Sequence, residues 1–276
     1  MANSHLTGKT VVVTGGLSGI GLALVKFFAQ FSTQIAILDI SLNTSTTVLP
    51  SLQTAFPNSK FLFRKCDISD WEEQRRVFGE VFKVFGSVDL VCANAGVTEI
   101  GKFLVDEVDG EGGLKRPGLK TLDVNLVGTM FFAAIKLAVY YMRKNRGAQK
   151  GSIICTASNA GLYPLPIAPM YTISKHAIVG AVRSLAKPLE ADGIRINGIC
   201  PNCIETGLAD DNLFAHMTAT PMSTLISAVQ EFVLNESLSG VTAEVSGAKF
   251  TIRDPPEHVD EITTQNLNAF WALGYA

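Results

Sequence analysis

Tyr171 and Lys175 stand four residues apart in Tyr171-Thr172-Ile173-Ser174-Lys175. On a helix that spacing places both side chains on one face, about one turn from each other. An ammonium so placed stabilises a phenolate, and so lowers a phenol pKa from its unperturbed value of about 10. The pair would then give and take a proton at neutral pH. A solvated surface helix carries the same pair with no chemistry attached, so the reading depends on the rest of the chain.

A second constellation lies near the start. Residues 9–14 form a short β-branched run, and Gly15-Gly16-Leu17-Ser18-Gly19-Ile20-Gly21 then opens an amphipathic pattern reaching about residue 31. Strand, glycine turn and helix start make a phosphate cradle. The glycines let the backbone approach a pyrophosphate, and the free N–H groups of the helix face it. A plain turn would not require three glycines at their entropic cost. A second strand, 34–38, ends in Asp39. Its carboxylate can accept hydrogen bonds from both ribose hydroxyls of an adenosine and would repel a 2′-phosphate. No arginine stands beside it or in the glycine turn, which favours NAD over NADP. The alternative is an aspartate that caps the next helix.

The elements that must position these groups follow in order. A third strand, 61–65, leads to Asp67, which would touch an adenine rim or act as a cap. Ser69 reads as the cap of a helix reaching about residue 85, with Glu72 completing a capping box. A fourth strand, 88–92, precedes Asn94-Ala95-Gly96, small enough for the backbone to pass close to a ribose. Residues 99–120 are polar and glycine-rich and read as a mobile loop. One long helix, 119–144, carries Asn125, and its stretch 128–139 is apolar nearly all round, as in a buried or partner-covered helix.

A fifth strand, 152–156, leads to Ser158, and Pro164, Pro166 and Pro169 hold the chain open until the helix at 171–192. Pro188 should end or kink that helix. A sixth strand is expected at 194–199, a helix at 223–234, a last strand at 249–252, and a tail at 254–276 with a possible helix. Residues 202–235 form the variable region. No repeat or linker interrupts the chain, so residues 1–276 read as one domain. The alternation calls for a parallel sheet with helices on both faces.

Composition removes several classes of function. The chain has 276 residues, 47% of them hydrophobic, enough for one large α/β core. A net charge of −2 offers no basic footprint for nucleic acid or a membrane surface. The richest apolar run, 131–141, is too short for a membrane span and is interrupted by Lys136. The first residues lack the apolar core of a signal peptide, and the five scattered cysteines read as reduced, buried thiols, so a cytoplasmic location is expected. Cys200-Pro201-Asn202-Cys203 spells a redox pair, yet it follows a late strand instead of opening an early helix. No metal site is expected.

Thr14-Gly15-x-x-x-Gly19-x-Gly21, Asn94-Ala95-Gly96, Asn125, Ser158 and Tyr171-x-x-x-Lys175 stand in the order and spacing of the short-chain dehydrogenase/reductases. The chain resembles that family over about residues 7–210. Asp39 and the stretches 66–71 and 89–96 make it similar to the NAD-preferring secondary-alcohol dehydrogenases, such as hydroxyprostaglandin dehydrogenase and its fungal relatives.

The resemblance implies a Rossmann-type doubly wound parallel sheet of about seven strands with helices on both faces. It implies hydride transfer between NAD(H) and a secondary alcohol or ketone. Tyr171 would be the acid/base, and Lys175 would lower its pKa and hold the nicotinamide ribose. Ser158 would bond the substrate oxygen, and Asn125 would anchor a relay water. Cofactor contacts would come from Thr14, Gly15, Leu17, Ser18, Gly19, Ile20, Gly21, Asp39, Asp67, Ile68, Asn94, Ala95, Gly96, Tyr171 and Lys175. Pro201, Ile204 and Thr206 would complete them, with Asn202 where the family usually has glycine.

The resemblance also implies a homodimer or homotetramer built on the helices at 119–144 and 171–192. Leu162, Tyr163, Leu165, Ile167, Leu208, Leu213, Phe214, Met217 and Met222 would wall an apolar substrate, or else pack on neighbours. The same family framework also serves non-redox biosynthetic chemistry or dinucleotide sensing, and the full set of four catalytic positions argues for redox turnover.

Overall fold

A computed structural model describes residues 4–132, 134–206 and 216–274. After a short turn the chain alternates strand and helix: β1 (Thr10–Thr14), α1 (Gly19–Ala29), β2 (Gln34–Asp39), α2 (Leu42–Ala55), β3 (Lys60–Lys65), α3 (Trp71–Phe85) and β4 (Leu90–Ala93). A helical stretch follows, made of α4 (Lys120–Leu122), a π-helical segment (Asp123–Phe132) and α5 (Ala134–Met142). Then come β5 (Gly151–Thr156), α6 (Pro169–Glu190), β6 (Ile194–Pro201), α7 (Met222–Leu234), β7 (Thr242–Ser246), β8 (Lys249–Arg253) and α8 (Glu261–Leu273).

The sheet has eight strands in the order β3-β2-β1-β4-β5-β6-β7-β8. Every neighbouring pair is parallel except β7 and β8. The order turns back on itself beside β1, between β2 and β4, and in such sheets the crevice beyond the carboxyl ends of the strands is the ligand-binding edge. β1 is buried along its whole length, as a parallel strand covered on both faces must be. Its side chains alternate between two cores. Val12 joins Phe78, Val81 and Ile153 on one face, while Val11 and Val13 join Leu24, Phe28 and Phe232 on the other.

Several expectations need correcting. Seven strands become eight: β7 reads Thr-Ala-Glu-Val-Ser, and Glu244 at its centre breaks the apolar signal. Asp70, not Ser69, caps α3 and accepts from the Glu73 N–H at 3.0 Å. The Ser69 hydroxyl instead donates to Asp67. Pro169 does not hold the chain open but is the first residue of α6, where its missing N–H costs nothing. Pro188 lies in the last turn of that helix, which stops two residues later.

The single long helix expected at 119–144 is divided by its π-helical stretch. By length and composition residues Lys120–Met142 could cross a membrane, longer than the run read from sequence, but 64% of the most apolar window is buried inside the protein. That burial suits a core helix.

Candidate active site

At the carboxyl ends of β1, β2, β4, β5 and β6 the sequence-predicted groups meet. Gly15 leaves β1 with φ of 64°, a left-handed conformation that favours glycine. Gly21 packs so closely that an added Cβ would collide with the Gly15 carbonyl oxygen. Thr14 ties this turn to the next strand over. Its hydroxyl oxygen accepts from the Asn94 and Ala95 N–H groups at 2.9 and 3.0 Å, and the Asn94 side-chain amide donates to the Thr14 carbonyl at 3.0 Å. Gly19 faces Thr206 from the loop beyond β6, so that loop and the glycine turn stand against each other.

Asp39 ends β2 with both carboxylate oxygens aimed at backbone donors. Leu17 N–H donates to one at 3.1 Å and Ser41 N–H to the other at 3.0 Å. Ser41, not Asp39, is the side-chain cap of α2. Leu17 gives the site only its backbone, because its side chain is in the core. Ser18 is the exposed N-cap of α1, with no side-chain bond to the helix, and Ile20 packs partly against the core. Ile68 is buried, its carbonyl held by Gln74, and Asp67 is partly exposed beside it.

Tyr171 and Lys175 lie on the first turns of α6. The Lys175 ammonium is 5.5 Å from the centre of the Tyr171 ring and donates to the Thr156 carbonyl at 2.9 Å. Lys175 is 4% exposed, and burial pushes its pKa down to about 8. Burial also raises the Tyr171 phenol, against the smaller opposite pull of the Ser158 hydroxyl. The expected lowering of the phenol by Lys175 is therefore not the sign found, because desolvation outweighs the polar neighbours. Ser158 Oγ accepts from Ala160 N–H at 3.1 Å and donates to Asn159 Oδ1 at 3.1 Å.

Asn125 is fully buried in the π-helical segment. Its Oδ1 accepts from Val97 N–H at 2.8 Å, and its Nδ2 donates to the Val97 carbonyl at 2.8 Å and to Ser174 Oγ at 3.2 Å. A Cβ on Gly96 would lie 3.1 Å from Asn125 Oδ1 and 3.6 Å from the Lys175 ammonium, so these groups border one space.

Beyond β6, Asn202 fills the position of the usual glycine. Its Oδ1 accepts from Asn159 Nδ2 at 3.1 Å, and its Nδ2 donates to Ser246 at 3.3 Å. Pro201 and Ile204 are buried beside it. Cys200 is buried, which pushes its thiol up to about 12, and burial raises Cys203 as well. Neither is the low-pKa thiol that redox exchange requires.

Of the proposed wall, Tyr163, Leu165, Ile167 and Met217 are exposed, while Leu162 and Met222 pack against the cores. Leu208, Leu213 and Phe214 lie outside the described residues. Sequence reasoning missed Ser174 and Thr156, which hold Asn125 and Lys175, and Glu99, whose carboxylate reaches the start of α6. Nothing in their local sequence distinguishes them from ordinary polar residues.

The family model described as short chain dehydrogenase matches residues 9–214, three quarters of the chain and all the predicted catalytic and cofactor positions. The chain belongs to the short-chain dehydrogenase family. Among relatives, a short-chain dehydrogenase/reductase named prx4 from Penicillium roqueforti is 40% identical over 204 residues, covering 74% of this chain and 57% of that protein. This family member thus spans little more than half the length of that relative. The human protein named 15-hydroxyprostaglandin dehydrogenase [NAD(+)] is 35% identical over 208 residues, covering 75% of this chain and 72% of the other. Among solved structures, levodione reductase superposes with a TM-score of 0.74 at 21% identity, covering 88% of this chain and 97% of that one. At that identity it supports the short-chain dehydrogenase fold alone.

Proposed function

We propose that the chain is an NAD-dependent oxidoreductase that interconverts a secondary alcohol and its ketone on an apolar small molecule, with Tyr171 as the acid/base. The observation that carries this reading is the convergence of Tyr171, Ser158 and buried Lys175 with the glycine turn and Asp39 at one sheet edge. Family membership and the name of the human relative support it.

The residues fit a dinucleotide. Only glycine fits at Gly21 against the Gly15 carbonyl, and no side chain caps the start of α1, which suits a pyrophosphate on its free N–H groups, while the Asp39 carboxylate would repel a 2′-phosphate. The bound nicotinamide would supply the hydride acceptor or donor. Lys175 would hold its ribose, and Asn94, Ala95, Gly96, Pro201, Ile204 and Thr206 would line the pocket around it. Ser158 and Tyr171 would hold the substrate oxygen. A phenol raised by burial is a proton donor at neutral pH, suited to protonating a forming alkoxide. In the oxidative direction the neighbouring ammonium and Ser158 would stabilise the phenolate. Asn125 clamps the β4 loop against α6. The protein would act in the cytoplasm as a homodimer or homotetramer joined through α5 and α6.

The test is absorbance at the nicotinamide band with NAD and a panel of apolar secondary alcohols and their ketones. Turnover is expected with NAD in clear preference to NADP. Tyr171→Phe should reduce kcat by at least about 1,000-fold, a loss of acid/base catalysis within the usual range, while NADH binding stays nearly intact. Comparable turnover in that variant would remove Tyr171 from its role, and equal use of NADP would remove Asp39 from its own.

A further inference from the structure

The helix that carries Tyr171 starts without a cap of its own. Its N-cap residue is Ala168, which offers no side-chain hydrogen bond, and Pro169 occupies the first turn. The next two backbone N–H groups belong to Met170 and Tyr171, and a helix leaves such donors without partners inside itself. One carboxylate from far upstream takes both. Glu99 Oε2 accepts from the Tyr171 N–H at 2.7 Å, and its Oε1 accepts from the Met170 N–H at 3.3 Å.

Glu99 is itself fixed on both sides. Val97 is bracketed by the Asn125 amide, which bonds its N–H and its carbonyl at 2.8 Å each. Thr121 Oγ1 accepts from the Ile100 N–H at 2.9 Å and donates to the Thr98 carbonyl at 3.2 Å. The carboxylate therefore stands on an anchored stretch of backbone. It joins the loop of Asn94-Ala95-Gly96 to the helix of Tyr171 and Lys175. Charge-assisted bonds of this kind are strong, and a negative charge is favoured at a helix N-terminus.

We infer that Glu99 is a positioning residue for Tyr171: it caps α6 from the β4 loop and so fixes the phenol relative to Ser158 and Lys175. The inference rests on the acid/base reading of Tyr171. It deepens that reading by assigning the group that sets the tyrosine's place.

The experiment compares Glu99→Ala and Glu99→Gln with the wild type. Amide hydrogen exchange is read across α6, and steady-state kinetics use the panel alcohol that the wild type oxidises fastest. Glu99→Ala should speed exchange at Met170 and Tyr171 and leave Val179 and Val182 unchanged. A displacement of about 1 Å costs up to roughly 100-fold in rate, so kcat should fall about 10- to 100-fold with KM and NADH affinity within about threefold. Glu99→Gln keeps an acceptor oxygen toward the Tyr171 N–H and should recover part of the loss.

Unchanged exchange at those two amides overturns the inference, whether or not a panel alcohol is oxidised. So does a wild-type kcat in Glu99→Ala, or a loss matched in NADH affinity or melting temperature. The two readings fail separately. Turnover by Tyr171→Phe removes the acid/base assignment, whereas a dead Tyr171→Phe beside an unimpaired Glu99→Ala removes only the cap.

Discussion

Lys175 carries an ammonium into a place that resists its charge. Its folded pKa of about 8 lies below the ordinary value of 10.5, so between those limits the unfolded chain binds a proton that the folded chain does not. Stability then rises with pH across that window and is flat with respect to this group below it. Lys175→Met lacks this dependence. The stability difference between the variant and the wild type should therefore shift in favour of the wild type as pH rises from about 8 to about 10.5, when denaturant melts are run without cofactor. A constant difference would show that the lysine is not desolvated. Ser158 was named through the family resemblance, whereas Tyr171 and Lys175 were legible as a pair because they share a helix face. Glu99 was not, because it acts 72 residues from the amide it binds and no local period marks it.

Among the elements, the glycine turn was the easiest to read and is the least forgiving. An added Cβ on Gly21 would meet the Gly15 carbonyl and the Asn94 amide, both built into the turn. Gly21→Ala should cost about 1–3 kcal/mol of stability through overpacking and weaken NADH binding at least about tenfold by lifting α1 off the turn. Thermal melts and a fluorescence titration measure both. Most parallel strands announced themselves as short apolar runs, β1 as a β-branched one. β7 did not, since its Glu244 is neutralised only by a partner one strand further on, Arg253 at 2.7 Å. The π-helical segment gave no signal either, because its apolar sequence serves an α-helix equally well. Its wider winding carries Asn125, in keeping with the frequent placement of such segments at functional sites.

Taken together, the alternation of elements was enough to give the layered architecture, and the last strand and the tail helix were expected from pattern as well, whereas β7 was not. α8 has an aspartate cap and a closing Gly274, so both of its ends are satisfied locally. None of its residues is buried, and Lys187 over the Trp271 ring at 4.7 Å is its recorded ring contact with α6. Such an exposed contact is worth about 0.5–1 kcal/mol, so deleting residues 257–276 should lower the melting temperature by no more than about 4 °C. A larger loss in calorimetry would mean that the helix is covered in solution.

The β7–β8 hairpin lies past residue 214, where the family match ends, yet Glu244 accepts a hydrogen bond from the Tyr163 hydroxyl at 2.9 Å. Tyr163 belongs to the segment between Ser158 and Tyr171. If that segment walls the substrate as proposed, substitutions in the hairpin would reach the wall through Tyr163 without touching Tyr171 or Lys175 directly. The same hairpin pairs with the end of β6 and bonds Asn202 through Ser246, so a change there would be felt on the proposed substrate and cofactor sides together.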